Sequence, residues 1–374
     1  MAPIKSTQSR TGGKLIRGGR STDVTSDIDG VGTEISGRRE DNLTTLLAVS
    51  GGTKIESSND RYHVFTSPGT FTTGVELTAE VLVVGGGGSG CGNGYGGGGG
   101  AGGILHAPST LVRKGRYTVV VGEKSGATGW RESDDGHDSS FGDAIAKGGG
   151  GGAGYGHRPA VRPGSPIDGT QSAKGRSGGS TGGSGSIRFL NDGTPFGSLT
   201  PDVKLTNPAP SDYTGYGNLG GGGGTTNPHG WAGGGGGGAG GVGGTTGANS
   251  AQGGDGGAGR AFPSFPAPVI APGIPSPLRS AWSSAVGPTG LFGGGGGGGN
   301  YYSNTPTTGS TGGPGGGGAG TSGSPIYASA TPGVRHTGSG GGGANYPYSD
   351  SSGNSNGFGG FGGDGIVIVK YSVA

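Results

Sequence analysis

The sequence predicts a mainly β protein with much irregular backbone. The expected architecture is a small antiparallel β-sandwich carrying an inserted bundle of polyglycine II helices joined by long loops, with an extended N-terminal arm. Three observations predict it. Short β-branched runs crowd residues 53–147, and one strong run, Gly365–Val373 (GIVIVKYSV), closes the chain. Glycine tracts recur from Gly85 to Gly343. Gly 104 and Pro 23 together make about a third of the 374 residues, while Val, Ile, Leu and Phe make less than a fifth. Such a composition is also that of a disordered chain, which has too little apolar area to offset chain entropy. Disordered chains usually carry high net charge, however, and here it is +2 with only 13% charged residues.

The elements follow in order. Residues 1–37 are polar, with basic (Lys14, Arg17, Arg20) and acidic (Asp23, Asp27, Asp29) clusters and no apolar period. Arg39–Val49 is the one expected short helix, because Leu43, Leu46 and Leu47 share a face by i, i+3, i+4 spacing; Gly51–Gly52 ends it. From Thr53 the pattern turns to strands. Tyr62–Thr66, a turn at Ser67–Pro68–Gly69, and Thr70–Thr73 read as a hairpin. Val75–Val84, Ile104–Val112, Arg116–Val121, Ser139–Phe141 and Ala144–Ala146 are the further strands. Residues 148–363 are dominated by glycine and proline. The closing strand is expected to pair back with Val81–Val84. This divides the chain into an arm (1–52), a β-rich part (53–147), a bundle (148–363) and a closing strand (364–374).

Glycine inside a helix or strand costs about 0.5–1 kcal/mol relative to alanine, so an ordered glycine run needs a structure that only glycine permits. Polyproline II geometry offers one, with three residues per turn and no internal hydrogen bonds. Glycine rods can approach closely and satisfy N–H and C=O groups from their neighbours. Collagen needs strict Gly-X-Y spacing, which runs such as GGGGGAGG lack. A rod lattice leaves no interior room for side chains, so recognition residues belong in the connecting loops.

Candidate sites are few. Gly85, Gly87 and Gly90 follow a strand and match the dinucleotide fingerprint, but that motif needs a helix next, and CGNGYGGGGGAGG is a poor helix. Asp134, Asp135, His137 and Asp138 suggest a metal or an acid–base pair; a solvated turn is the expectation. Cys91 is expected to be a small filler. No catalytic triad, metal-ligand spacing or paired acid and base stands out, so neither an enzyme nor a cofactor or metal is expected. The near-neutral charge gives no footprint for nucleic acid. Signal-peptide and membrane-spanning runs are absent from the sequence, and a cytoplasmic origin is expected. Aromatic residues between tracts are the candidate contacts: Tyr213, Tyr216, Trp231, Trp282, Tyr301, Tyr302, Tyr346 and Tyr348. Their alternative role is to wrap the bundle. The Pro-rich stretch Phe262–Trp282 is expected to act as a buttress.

The motifs HVFTSPGTFTT, AEVLVVGGGGSG, GGGGAGGIL, GRYTVVVG and GDGIVIVKY together resemble the glycine-rich domain of bacteriophage tail-fibre and other virion proteins. The alternation of glycine motifs with varied loops is similar to the polyglycine II adhesins at the tips of T-even-type long tail fibres. The resemblance covers roughly Thr53–Ala374. It implies a virion protein assembled in the host cytoplasm that recognises a bacterial surface receptor, a glycan or an outer-membrane protein, through its loops. It implies mounting on other virion proteins, with Arg17, Arg20, Leu43, Leu46 and Leu47 as candidate attachment residues, and either a homotrimer or a monomeric tip. The alternatives are a decoration or fibre protein of the phage head or tail without a receptor role, a cellular glycine-rich matrix protein, and a nucleotide-binding enzyme.

Overall fold

The computed structural model describes residues 49–92, 95–126, 133–154, 175–185, 210–224, 231–246, 252–300, 309–322, 329–345 and 358–373. The expected helix at 39–49 lies, but for its last residue, outside these, and Val49 opens a strand.

Two antiparallel sheets form the sandwich. The first has five strands in the order β1 (Val49–Ser50), β4 (Gly69–Thr73), β7 (Gly115–Val120), β8 (Ser139–Phe141) and β9 (Ala144–Ala146). The second has six, in the order β10 (Thr214–Tyr216), β6 (Ile104–Val112), β5 (Leu77–Val84), β13 (Ile366–Ser372), β3 (Asp60–Phe65) and β2 (Thr53–Ser57). The closing strand β13 does pair with β5, setting Ile366 opposite Val84 and Val369 opposite Val81, and its other edge pairs with β3. The last strand of the chain therefore occupies the middle of the larger sheet.

VLVV in β5 and IVIV in β13 are unbroken apolar runs because that sheet is buried on both faces. Val81, Val83, Val367 and Val369 point into the core between the sheets with Phe71 and Phe141. Leu82, Val84, Ile366 and Ile368 point the other way, into a second core. That second core is closed by residues 262–292. They form two short helices, α1 (Ala267–Ile270) and α2 (Arg279–Val286), flanked by the strand pair β11 (Arg260–Ala261) and β12 (Leu291–Phe292). Trp282 and Val286, four residues apart, bury one face of α2. The Trp282 indole N–H donates to His336 O at 2.9 Å, and Gly287 takes φ 60 to stop the helix.

Two expectations need correction. β3 and β4 are not a hairpin: the Ser67–Pro68–Gly69 turn carries the chain from one sheet to the other. Phe65 before it and Phe71 after it both bury in the inter-sheet core, so the chain folds over that core as a corner. The glycine-dominated stretch is also not without regular structure, since β10, β11, β12, α1 and α2 all lie within 148–363. The Pro-rich stretch does buttress the sheet. Its prolines preset φ at the helix starts, and Phe265, Ile270 and Ile274 anchor it.

The glycine tracts leave the sandwich as laterally bonded rods, with a three-residue repeat in their hydrogen bonds. Gly85, Gly88 and Cys91 donate to Gly103, Gly100 and Gly97. Gly86 and Ser89 donate to His137 and Asp134, and Gly87 and Gly90 donate to Gly363 and Gly360. Successive residues of one run thus address three different neighbours. Gly96, Gly99 and Gly102 repeat the rule on Ala344, Gly341 and Gly338. Three residues per turn produces this period; an α-helix or β-ladder does not. A carbon added at Gly98, Gly236 or Gly340 would fall inside the carbonyl of a neighbouring run.

Side chains mark the bundle's perimeter. In QGGDGGA (Gln252–Ala258) and FGGFGGD (Phe358–Asp364), most residues at every third position face solvent, and the glycines between them are buried or nearly so. The tracts 96–100, 233–238 and 293–299, which are glycine throughout, are buried throughout.

Candidate functional site

The bundle has two different ends. At the sandwich end its runs turn tightly: Gly238 N donates to Gly241 O at 2.9 Å, and Gly317 N to Gly313 O at 3.0 Å. Gly293 N donates to Thr337 O, and Gly102 N to Gly338 O, in the same neighbourhood. At the opposite end, one layer of hydrogen bonds links run-ends far apart in sequence. Ala344 N donates to Cys91 O, Gly96 N to Ala344 O, Gly299 N to Gly96 O, Gly233 N to Gly299 O and Gly254 N to Gly233 O, all at 2.7–3.0 Å. Thr321 N joins the layer through Gly343 O at 3.1 Å.

Seven chain segments have both flanking run-ends at or next to this far pole: 93–94, 155–174, 225–230, 247–251, 301–308, 323–328 and 346–357. They break the glycine rule, reading NG, YGHRPAVRPGSPIDGTQSAK, TTNPHG, GANSA, YYSNTPTT, GSPIYA and YPYSDSSGNSNG. Segment 155–174 carries Arg158, Arg162, Asp168 and Lys174 with His157; the side chains of the other six are almost all neutral, Asp350 and His229 being the exceptions. The described chain begins and ends at the other pole. Val49 pairs with Thr73 at the far end of β4, and Val373 N donates to Asn59 O beyond the β3–β13 ladder.

The expected aromatic set divides between these poles. Tyr301, Tyr302, Tyr346 and Tyr348 lie outside the described residues, in segments whose flanks are at the far pole. Trp231 is at that pole, half-buried, its indole 5.8 Å from the Tyr95 ring. Three others are elsewhere. Trp282 is fully buried in the second core, so it is a core residue and not a surface contact. Tyr216 sits in β10 with the Arg260 guanidinium 4.0 Å over its ring and Phe262 edge-on. Tyr213 packs against the inter-sheet core, where burial drives its hydroxyl pKa upward. Both belong to the sandwich end because β10 continues the larger sheet. Arg17, Arg20, Leu43, Leu46 and Leu47 lie outside the described residues. Tyr95 was not among the expected contacts. Its signal was a lone aromatic in GNGYGGGGG, and it holds φ 59, a left-handed conformation uncommon for a bulky residue.

The acidic stretch is not the solvated turn expected. The Asp134 and His137 carbonyls accept from Ser89 N and Gly86 N, and Gly136 N donates to Gly149 O, so it is a run of the bundle, and its carboxylates have a structural task. Asp135 accepts from Gly151 N at 2.9 Å and pairs with Arg176 at 2.8 Å. Asp138 accepts from Gly148 N at 2.8 Å and pairs with Lys147 at 2.7 Å. These carboxylates complete backbone hydrogen bonding where a run has no glycine neighbour. Asp255 does the same for Thr311 N at 2.7 Å. Among the described residues no group of three or more His, Cys, Asp or Glu is placed to hold a metal. Residues 85–92 are not helical, so the Gly85, Gly87, Gly90 motif lacks the helix N-terminus a pyrophosphate needs.

Two polar groups remain at the sandwich. A cleft of about 420 Å³ opens where sandwich meets bundle, lined by Thr66, Ser67, Lys124, Arg335 and Asp364. Asp364 fills its own capacity by accepting from Lys124 N at 2.9 Å and pairing with Arg335. On the larger sheet, burial pushes the Glu80 carboxyl up, but hydrogen bonds from His106 and Ser264 and the Lys370 charge reverse this and hold it low. Among the described residues no helix is long and apolar enough to cross a membrane.

Fold and far pole together define a class: a glycine-rich β-sandwich protein that carries a laterally bonded rod bundle with its varied connections at one end. The chain belongs to the glycine-rich domain family, which matches residues 66–269. No curated protein matches it.

Proposed function

We propose that this is a bacteriophage virion protein, a fibre, spike or tip that recognises the host-cell surface through loops displayed on a polyglycine II scaffold. The observation that carries this reading is the division of labour between the poles. One pole gathers seven varied connections, four of which carry tyrosine, while the described chain enters and leaves at the other. That layout suits a protein mounted by its N-terminal arm on other virion proteins and facing outward with its connections. The three-residue hydrogen-bond period supports rods of the polyglycine II type.

The protein acts by binding, not by catalysis, and needs no cofactor. Its best-placed carboxylates already serve as backbone acceptors or ion-pair partners. Six of the seven connections lack Lys and Arg, which favours a glycan or an outer-membrane protein loop over a polyanion. Trp231, Tyr301, Tyr302, Tyr346 and Tyr348 are the contacts retained, with Tyr95 positioning Trp231. A homotrimer and a monomeric tip both satisfy the layout.

The test is immunogold electron microscopy of intact particles, using an antibody to residues 301–308. Label at fibre or spike ends supports the reading. Label spread over the capsid replaces it with a decoration protein, and absence from particles refutes a virion role.

A further inference from the structure

A perimeter rod of the bundle has one N–H in three with no neighbouring rod to take it, much as an edge strand does. Several of these positions are closed. Pro314 and Pro332 stand exposed on perimeter runs and carry no N–H. Asp255 accepts from Thr311 N, and Thr331 Oγ1 from Ala319 N at 2.6 Å. The run 358–364 is left open. Gly360 and Gly363 donate to Gly342 and Ser339, and Gly362 donates to Ser125 Oγ at 3.2 Å. The Phe358 and Phe361 N–H groups have no acceptor among the described residues, and the two residues are 45% and 40% exposed. They stand one turn apart, about 9.3 Å along the rod. Their carbonyls accept from Ala330 N and Gly333 N on one side, while the Phe361 ring lies under the Lys124 ammonium, 4.2 Å away, on the other. The open N–H groups therefore line the floor of a groove one rod wide, between run 329–335 and the two rings.

We propose that this groove docks a proline-rich segment of another protein in the polyproline II conformation. Such a segment shares the rod's three residues per turn and rise of about 3.1 Å. Every third carbonyl of it therefore meets a Phe N–H in register, and its prolines lie against Phe358, Phe361 and Pro332. The conformation is already formed before binding, so little entropy is lost, and aromatic-lined grooves recognise proline-rich chains in this way. The two rings expose roughly 170 Å², at about 200 Å² each. That is far below the roughly 800 Å² per partner of a stable protein interface, so the groove suits one extended segment and not a second folded copy. The N–H groups of Asp255 and Ala258 form a second open row. It lacks rings, and the Asp255 carboxylate repels a carbonyl, so it makes no second groove. The groove is on the flank of the bundle, apart from the far-pole connections, and the proposal stands whether or not the protein belongs to a virion.

Hydrogen exchange on the full-length protein tests it, with a proline decamer as the probe. Without the probe, the Phe358 and Phe361 amides are expected to exchange near the free-chain rate while Gly360 and Gly363 are protected. Saturating decamer is expected to slow both Phe amides at least about tenfold. Unchanged exchange overturns the proposal, as does equally tight binding of a Gly-Ser peptide of the same length. Phe amides protected without the probe also overturn it: protection at every protein concentration assigns the groove to the protein's own chain, and protection only on raising concentration assigns it to a second copy. The double change Phe358→Ser, Phe361→Ser is expected to weaken decamer binding by about tenfold or more, and unchanged affinity refutes the groove. Should that variant not fold, the exchange of the two Phe amides in the unaltered protein decides.

Discussion

At the scale of one residue, a single methyl group tests whether the glycine runs are ordered by contact. Gly98 lies against the Gly296 carbonyl, and both belong to backbone that cannot step aside singly. Gly98→Ala is therefore expected to cost about 3 kcal/mol or more, read as a lower unfolding midpoint or loss of soluble protein. Ala258→Ser, on the exposed third position of a perimeter run, is expected to stay within about 0.5 kcal/mol. Equal effects at the two positions would refute the lattice. His63 gives a second test. Its ring is fully buried; Nδ1 donates to Gly51 O at 2.6 Å, leaving Nε2 to accept from Tyr371 Oη at 3.4 Å. Desolvation holds its pKa below the ordinary value, and the same is true of His336. Unfolding frees both to bind a proton that the native state refuses. Stability is thus full above about pH 6.5 and falls as pH drops below it. Urea midpoints between pH 7.5 and 5 check this, and His63→Asn, which keeps a donor for Gly51 O, is expected to flatten the slope.

At the scale of the element, what the sequence made legible depended on whether a segment's neighbours were local. Strands β5, β6, β7 and β13 could be read because β-branched runs with Gly boundaries carry their own signal, and β13 to β5 pairing followed from two matched apolar runs. The β3–β4 crossing could not, because a Ser-Pro-Gly turn is the same in a hairpin and in a corner. The helices at 267–286 were hidden under prolines that read as breakers but sit at helix starts. Trp282 accordingly looked like a surface aromatic. It anchors the second core, so Trp282→Ala is expected to cost about 3–5 kcal/mol; thermal unfolding measures it, and a near-neutral result would contradict the buttress role. The perimeter was written in the sequence as X-Gly-Gly repeats, QGGDGGA and FGGFGGD, against unbroken glycine inside. That code becomes readable once one knows which runs neighbour which.

At the scale of the whole molecule, the closing strand makes the fold a unit. β13 lies between β3 and β5, and the chain reaches it only after traversing the bundle. Removing residues 365–374 is expected to prevent folding altogether, seen as loss of strand circular dichroism; a folded, truncated protein would contradict the central placement. Rod order and sandwich order are therefore coupled, and the far pole is held on a scaffold with little freedom. The proposed function depends on that rigidity, since loops fixed at both ends by neighbouring rods lose less entropy on binding.

The most direct test is adsorption competition. Purified protein is added to sensitive bacteria before the phage, beside a variant with 301–308 and 346–357 replaced by Gly-Ser segments of equal length. The account predicts that the unaltered protein blocks adsorption, while the variant keeps its unfolding midpoint but no longer blocks. Unchanged adsorption with the unaltered protein, or equal blocking by both, would contradict it.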